Sequence, residues 1–491
     1  MNQAASTTEQ ECDVLVIGGG INGAGIARDA SGRGLSVILC EKDQLAAHTS
    51  SASTKLIHGG LRYLEQYEFA LVRKALIERE VLMRIAPQLI RPLRFVMPHD
   101  ASQRPAWLIR LGLFLYDHLA KRELLPGSSG IDLQQHPSGA PLQSRFTKGF
   151  AYSDAWVDDA RLVELNTLDA AERGATILTH TRCISTQRHA DHWQAVLQSN
   201  SIHGEQKPRT IRAKTLVNAT GPWAASFLHE TVHGKSGKSL RLVKGSHIVV
   251  RKLFDHDHAY IFQNMDGRIV FAIPYQHDYT LIGTTDVEYR GDPDAVAIES
   301  SEIDYLCTVI NRYFNKPITP ADVVRSFSGV RPLVNDDDHQ NATAAAVTRD
   351  YKLDLESSAA PILTVFGGKL TTYRKLAEEA VDMLAPLLDN RQGHWSANAC
   401  LPGGDLAGEH PGNLAVSGFD TYVQQTQRRY PWLPTQLLLY YVHRYGTRIH
   451  CLLSGKDSID ALGEEIRPGI YEAEISYCNR HEFGQLHRVS S

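Results

Sequence analysis

The chain has 491 residues, of which 43% are hydrophobic and 22% charged, and its formal net charge is -4. Those proportions describe a globular protein with a sizeable core and material for about two or three domains, and they argue against disorder and against a bundle of membrane spans. The near-neutral balance gives no global attraction to nucleic acid, and no run reaches the roughly 18 apolar residues a transmembrane helix needs.

The cysteines (Cys12, Cys40, Cys183, Cys307, Cys400, Cys451, Cys478) are scattered singly, without C-x-x-C or a histidine at ligand spacing. This favours a reducing compartment and argues against structural zinc, so no metal site is expected. The opening "MNQAASTTEQ" is polar and lacks Lys and Arg. It reads as a frayed tail, not a secretory signal.

Next, "VLVIG" is predicted as a buried parallel strand, "INGAGIARDASGRG" as a helix opening on glycine, and "SVILCE" as a second strand, which together make one βαβ unit. Gly18, Gly20 and Gly23 supply G-x-G-x-x-G across the first turn, with Asn22 inside it. The first glycine permits the turn, the second lets backbone approach a pyrophosphate, and the third packs helix on strand. The helix N-terminus offers NH groups and a positive dipole end to the phosphates. Glu41 follows about 20 residues on, placed for ribose hydroxyls. "SSAST" (Ser50 to Thr54) is predicted to bring Ser50, Ser51 and Ser53 to the cofactor; its bland alternative is a helix cap.

Residues 64 to 86 carry apolar groups at helical spacing and predict a long amphipathic helix stopped by Pro87. From Ala106 to Tyr116 the chain is apolar except for Arg110 and Gly112, too short to span a bilayer but suited to its interface. Trp107 and Tyr116 suit that depth, and Trp107, Leu108, Leu111, Phe114 and Leu115 are the predicted lipid contacts, with Arg104, Lys121 and Arg122 at headgroup level; the alternative is a buried core helix. Between about 240 and 290 alternating strands predict an antiparallel sheet roofing a site. After "LPGG" (Leu401 to Gly404) the chain reads as helical.

Two late glycine turns separate flavin from nicotinamide. "LVNATGPWA" places Thr220 and Gly221 after a strand, and "LTVFGGKLTTYRKLAEEA" places Gly367, Gly368, Lys369, Leu370 and Thr371 between a strand and a helix start. The second can aim a new helix N-terminus at the far end of an extended cofactor. That favours FAD.

The blocks "GGGINGAGIARDA", "SSASTKLIHGGLRYLE", "YSDAWVDDARLV", "NATGPW", "KGSHIVV", "IGTTDVEY", "SGVRPL", "TRDY" and "FGGKLTTYRKLAE" occur in one order along the chain. In this order the chain resembles the aerobic FAD-dependent glycerol-3-phosphate dehydrogenase family, from about residue 10 to 475. The resemblance implies an α/β fold: a Rossmann-like FAD-binding domain of the glutathione-reductase/D-amino-acid-oxidase type (11–90, 150–235 and 345–390), an antiparallel-sheet substrate domain that also faces the membrane (91–149 and 236–344), and a helical C-terminal domain (396–491). It implies oxidation of sn-glycerol 3-phosphate to dihydroxyacetone phosphate at noncovalent FAD, with electrons passed to membrane quinone. The implied location is the inner-leaflet lipid surface on the cytoplasmic face of the inner membrane, with a soluble fraction and a homodimer admitted. Two alternatives stand beside it: an oxidase releasing hydrogen peroxide, and a non-catalytic flavin-binding membrane scaffold.

Within that reading a phosphorylated polyol needs cations, and arginine's planar fork suits it. Arg331 in "SGVRPL", Arg349 in "TRDY" and Arg62, beside Tyr63, in "HGGLRYLE" are the candidates; solvated surface arginines are the alternative. Lys369 is placed to neutralise either the phosphate or the reduced flavin. Alcohol oxidation needs a base near neutral pH. His247 in "KGSHIVV" is the first candidate and His58 in "IHGG" the second, although Gly59 and Gly60 equally suggest close backbone approach to the flavin. The family continues with a longer helical ending, whereas this chain closes with "NRHEFGQLHRVSS". The C-terminal domain is therefore expected to be shortened, with subunit packing and quinone delivery affected more than chemistry.

Overall fold

A computed structural model describes residues 10–100, 103–201, 204–205, 207–234, 239–264, 266–335 and 350–483. Most of the expected frayed tail, Arg349, and the last eight residues of the atypical ending lie outside the described residues.

The buried strand Gln10–Ile17 pairs in parallel with Val37–Cys40 on one side and Arg209–Asn218 on the other, in register Ile17 to Cys40 and Ile17 to Asn218. Ile362–Phe366 extends the parallel set beside Arg209–Asn218. These strands stop at one level, so the turns after them, at Gly18, Glu41, Ala219 and Gly367, open on one edge. That edge, where the strand order reverses, is where open α/β sheets bind ligands. The helices Ile21–Gly32, Asp159–Glu172 and Tyr373–Leu384 pack together over the sheet and close the core through Ala24, Ala27, Leu162, Leu165, Tyr373 and Ala377.

A second, ten-stranded sheet forms the roof. Its longest pairing is antiparallel, Ser239–Arg251 against Val323–Asn335, with His247 opposite Phe327 and Val243 opposite Arg331. Opposed residues share a face, and residues four apart on a strand return to it. This register places His247 and Arg331 on one side of the roof. Strand Lys148–Val157, which straddles the domain boundary drawn near 150, also lies in this sheet.

The helix predicted from Leu64 begins later. Leu61–Gln66 is a 3-10 turn, Tyr67 takes a left-handed conformation (φ 60°), and the α-helix runs Phe69–Ile85. A left-handed residue cannot continue a right-handed helix, so the segment divides there. Beyond residue 400 the chain is mainly helical with its own core, including Leu438, Tyr441, Tyr445 and Tyr477, and one short hairpin at Glu465–Arg467 and Ile470–Tyr471. Arg161 docks this part through a buried bidentate pair with Glu482 (2.7 Å to each oxygen) and a bond to the Arg444 carbonyl (3.1 Å).

Helix Ala106–His118 buries Ile109, Leu113 and Tyr116 and exposes the opposite face, with Trp107 69% and Phe114 54% accessible alongside Leu108, Leu111 and Leu115. It is half core helix and half unpartnered apolar face. Among the described residues no helix is long and apolar enough to cross a membrane.

Candidate active site

A cavity of about 530 Å³ runs from the edge of the parallel sheet to the roof. Its nucleotide end is built by backbone. A Cβ on Gly18 (φ +110°) would lie 2.5 Å from the Ala219 carbonyl oxygen, and one on Gly23 would lie 1.9 Å from the Gly18 oxygen. Gly23 does not line the cavity; it lets helix and turn meet behind it. Gly20 caps the helix without a side chain and the first turn has no acidic residue, which leaves its positive end suited to phosphate. The Ile21 amide donates to Ser50 Oγ (3.0 Å). Glu41 is buried, and its carboxylate is aimed by the amides of Gly19 (2.7 Å) and Asp43 (2.9 Å), each oxygen keeping a lone pair for a ribose hydroxyl.

The late glycine turn closes on the first one. Gly367 and Gly368 have φ of +78° and +109°, and Asn22 Nδ2 donates to the Gly367 carbonyl (3.0 Å). Asn22 Oδ1 is buried without a hydrogen-bond partner. An orphaned acceptor between two glycine cradles suits an extended cofactor with donors, and the residues present fit FAD. A Cβ on Gly368 would sit 2.6 Å from Asn22 Nδ2. Gly368→Ala is therefore expected to raise the FAD dissociation constant by at least about 10-fold. The flavin-to-protein ratio after gel filtration reads this directly, and full loading would contradict it.

Ser50, Ser53, His58, Gly59, Gly60, Arg62, Tyr63, Thr220, Gly221, Lys369, Leu370 and Thr371 line the same cavity. Ser51 does not; its hydroxyl donates to the His48 carbonyl (3.2 Å) and it borders a smaller cavity behind the loop. Ser53 donates to buried Asp159 (2.6 Å), which also holds Lys55 (2.6 Å). Lys369 Nζ lies 4.1 Å from the Tyr63 ring centroid.

At the roof His247 is buried, stacked on Phe327 at 4.8 Å, with Nε2 2.9 Å from Thr54 Oγ1. Its Nδ1 has no hydrogen-bond partner. If Nε2 carries the proton to Thr54, Nδ1 is left as a buried, bare acceptor. Burial, reinforced by the Arg331 and Lys55 cations, pushes its pKa down to about 3, so it is neutral at physiological pH. Arg331 Nη2 donates to the Thr285 carbonyl (2.9 Å) and lies 3.2 Å from Asp286, leaving the side chain 30% accessible.

Sequence reasoning placed Thr54 only in the cofactor-contacting stretch Ser50 to Thr54, and assigned no role to Thr285, Asp286 or the Lys55–Asp159 pair. Thr285 and Asp286 stand in the quoted block "IGTTDVEY" and Asp159 in "YSDAWVDDARLV", but their partners are distant in sequence. Glu41, Asp43 and His48 bring three metal-capable groups within 4.8 Å. Lys42 and His48 already hold Asp43, at 2.9 and 2.8 Å, and backbone amides hold Glu41, so chain donors occupy that group.

Two glycine cradles at a sheet edge, beneath an antiparallel roof carrying a neutral histidine and an arginine, define an oxidoreductase that holds an extended dinucleotide. Residues 13–374 match the family described as FAD dependent oxidoreductase. The chain is 50% identical over 475 residues to glycerol-3-phosphate dehydrogenase of Pseudomonas aeruginosa, covering 96% of this chain and 89% of that one. It is 48% identical over 473 residues to aerobic glycerol-3-phosphate dehydrogenase of Escherichia coli (96% and 91%). It is 49% identical over 477 residues to D-erythritol 1-phosphate dehydrogenase of Brucella abortus (97% and 92%). Among solved structures, glycerol-3-phosphate dehydrogenase from Bacillus halodurans complexed with FAD superposes with a TM-score of 0.74 at 28% identity, covering 97% of this chain and 86% of that one. The chain belongs to the FAD-dependent oxidoreductases and, within them, to the aerobic glycerol-3-phosphate dehydrogenase family.

Proposed function

We propose that the protein oxidises sn-glycerol 3-phosphate to dihydroxyacetone phosphate and passes the electrons to a membrane quinone. The observation that carries this reading is the roof register, which sets His247 and Arg331 on one face within the cavity that also holds the late glycine loop. Arg331, braced by Thr285 and Asp286, binds the phosphate, with Lys369 and Arg62 adding positive charge around the same cavity. His247 takes the hydroxyl proton, and Thr54 fixes its ring through Nε2. FAD, when bound, supplies the hydride acceptor. A bound dianion offsets the Arg331 charge that helps hold His247 low, so substrate strengthens its own base.

The Brucella relative favours a second reading, in which the cavity takes a four-carbon polyol phosphate. Steady-state kcat/KM for sn-glycerol 3-phosphate and D-erythritol 1-phosphate, with a soluble quinone analogue, separates the two. A preference for the three-carbon substrate is expected, and stoichiometric hydrogen peroxide would contradict the quinone acceptor.

The exposed face of Ala106–His118 rests on the inner-leaflet lipid surface at the cytoplasmic side. Arg104, Lys121 and Arg122 stand around this helix but pair with Glu65, Glu123 and Asp117. The exposed pairs of Arg104 and Lys121 are weak, about 0–1 kcal/mol, so headgroup phosphates can compete for those two cations, whereas Arg122 is held by the largely buried Asp117. Trp107→Glu with Phe114→Glu is expected to lower partitioning into anionic vesicles by about 10-fold or more. Flotation unchanged by the pair would remove this surface.

A further inference from the structure

The apolar-faced helix packs on the turn Leu61–Gln66 and reaches the cofactor loop before it through a hydroxyl. The Gly59 amide donates to Tyr116 Oη (2.8 Å), and that hydroxyl donates to both oxygens of Asp154 (2.8 and 2.9 Å). Asp154 is held in turn by Arg79 Nη1 (2.6 Å), which also binds the Ser153 carbonyl (2.9 Å). Tyr116, Asp154 and Arg79 are all buried. In a trans peptide the N–H and C=O point opposite ways, so an amide held by Tyr116 turns the His58 carbonyl toward the other side. There Thr371, from the late glycine loop, donates to it (3.4 Å) and accepts from the His58 amide (3.2 Å). A Cβ on Gly59 would meet the Tyr116 hydroxyl at 2.7 Å, so the contact leaves no room for slack. Burial and Asp154 push the Tyr116 pKa up, which keeps the hydroxyl a donor.

We propose that Tyr116 is a positioning residue that hangs the His58–Gly60 loop from the lipid-facing helix, so that what this helix rests on is read in the rate of flavin reduction. The proposal rests on the lipid and substrate readings above. A chain of bonds ending on a buried ion pair is cooperative and stiff, and small displacements of a cofactor or substrate loop have large kinetic effects. Tyr116 touches neither substrate nor FAD in this account; it acts through Gly59.

The test uses the full-length, FAD-loaded protein with Tyr116→Phe, which keeps the ring and removes the hydroxyl. Anaerobic stopped-flow reduction by sn-glycerol 3-phosphate is followed with and without vesicles of phosphatidylethanolamine and phosphatidylglycerol, and flotation of the same samples reports lipid binding separately. The variant is expected to float like the wild type, with its limiting rate at least about 10-fold lower and its half-saturating substrate concentration within about 3-fold. Vesicles should shift the wild-type rate and leave the variant's unchanged. A wild-type limiting rate in the variant overturns the proposal, as does a slowed variant with an undiminished vesicle response. If the variant does not retain FAD, the wild type decides: a rate that responds to vesicles supports the coupling, and an indifferent rate in floating protein overturns it. Failure of the wild type to float or to be reduced instead locates the fault in the lipid or substrate reading.

Discussion

Arg331→Ala is expected to lower kcat/KM for flavin reduction by roughly 100- to 10,000-fold while FAD stays bound, because charge-assisted bonds to a phosphate contribute about 1.5–3 kcal/mol each and arginine offers two. The loss is enlarged by what remains. Asp286, having lost the Arg331 cation at 3.2 Å, would put negative charge toward the incoming dianion. Arg331→Lys should recover only part of the rate, since a point charge cannot reproduce the fork. Rapid-mixing reduction across a range of substrate concentrations measures both; an unchanged slope at low substrate would take Arg331 out of the phosphate site. Removing this cation also removes one of the causes that depress His247, so the histidine's pKa should rise in the variant.

His247→Asn is expected to cut the limiting rate of reduction by about 100- to 10,000-fold, the span of general-base contributions. The same histidine makes a pH prediction for stability. Its folded pKa, about 3, lies below the ordinary 6.5. The unfolded chain therefore binds more protons between those values. Stability is full above about pH 6.5 and falls as pH drops toward 3, by about 1.4 kcal/mol per pH unit from this group. His443, pushed down to about 3 by burial and Arg91, adds in the same direction. Thermal midpoints between pH 7 and 5 should thus fall less steeply in His247→Asn than in the wild type. Equal slopes would mean that His247 is protonated in the fold.

The nucleotide end of the site was legible because its signals are local. A glycine at φ +110° or +109° has few substitutes, and strand, turn, helix and acid follow within about 30 residues as the fingerprint requires. The late Gly367–Gly368 turn was legible for the same reason. Helix Ala106–His118 was legible only as a choice, since a sequence apolar on two faces does not say which face is covered. What was hidden depends on strand register. The pairing that aligns His247 with Arg331 joins segments about 80 residues apart, and a slip of one residue would turn one of them away from the cavity. The roles of Asp286, Thr54 and Asp159 were hidden because an acid or hydroxyl gains meaning from its partner, and those partners arrive from other elements. The Tyr116 bond to Gly59 belongs to the same class: a tyrosine whose amphipathic ring suits a membrane interface is instead buried, and meets a glycine 57 positions away.

Anaerobic addition of sn-glycerol 3-phosphate to the purified, FAD-loaded protein tests the central claim most directly. The flavin absorbance should bleach in a single turnover, with one dihydroxyacetone phosphate formed per flavin, and colour should return faster with a quinone than with oxygen. A fully loaded flavin that stays oxidised at saturating sn-glycerol 3-phosphate would contradict the assignment of this cavity to that substrate.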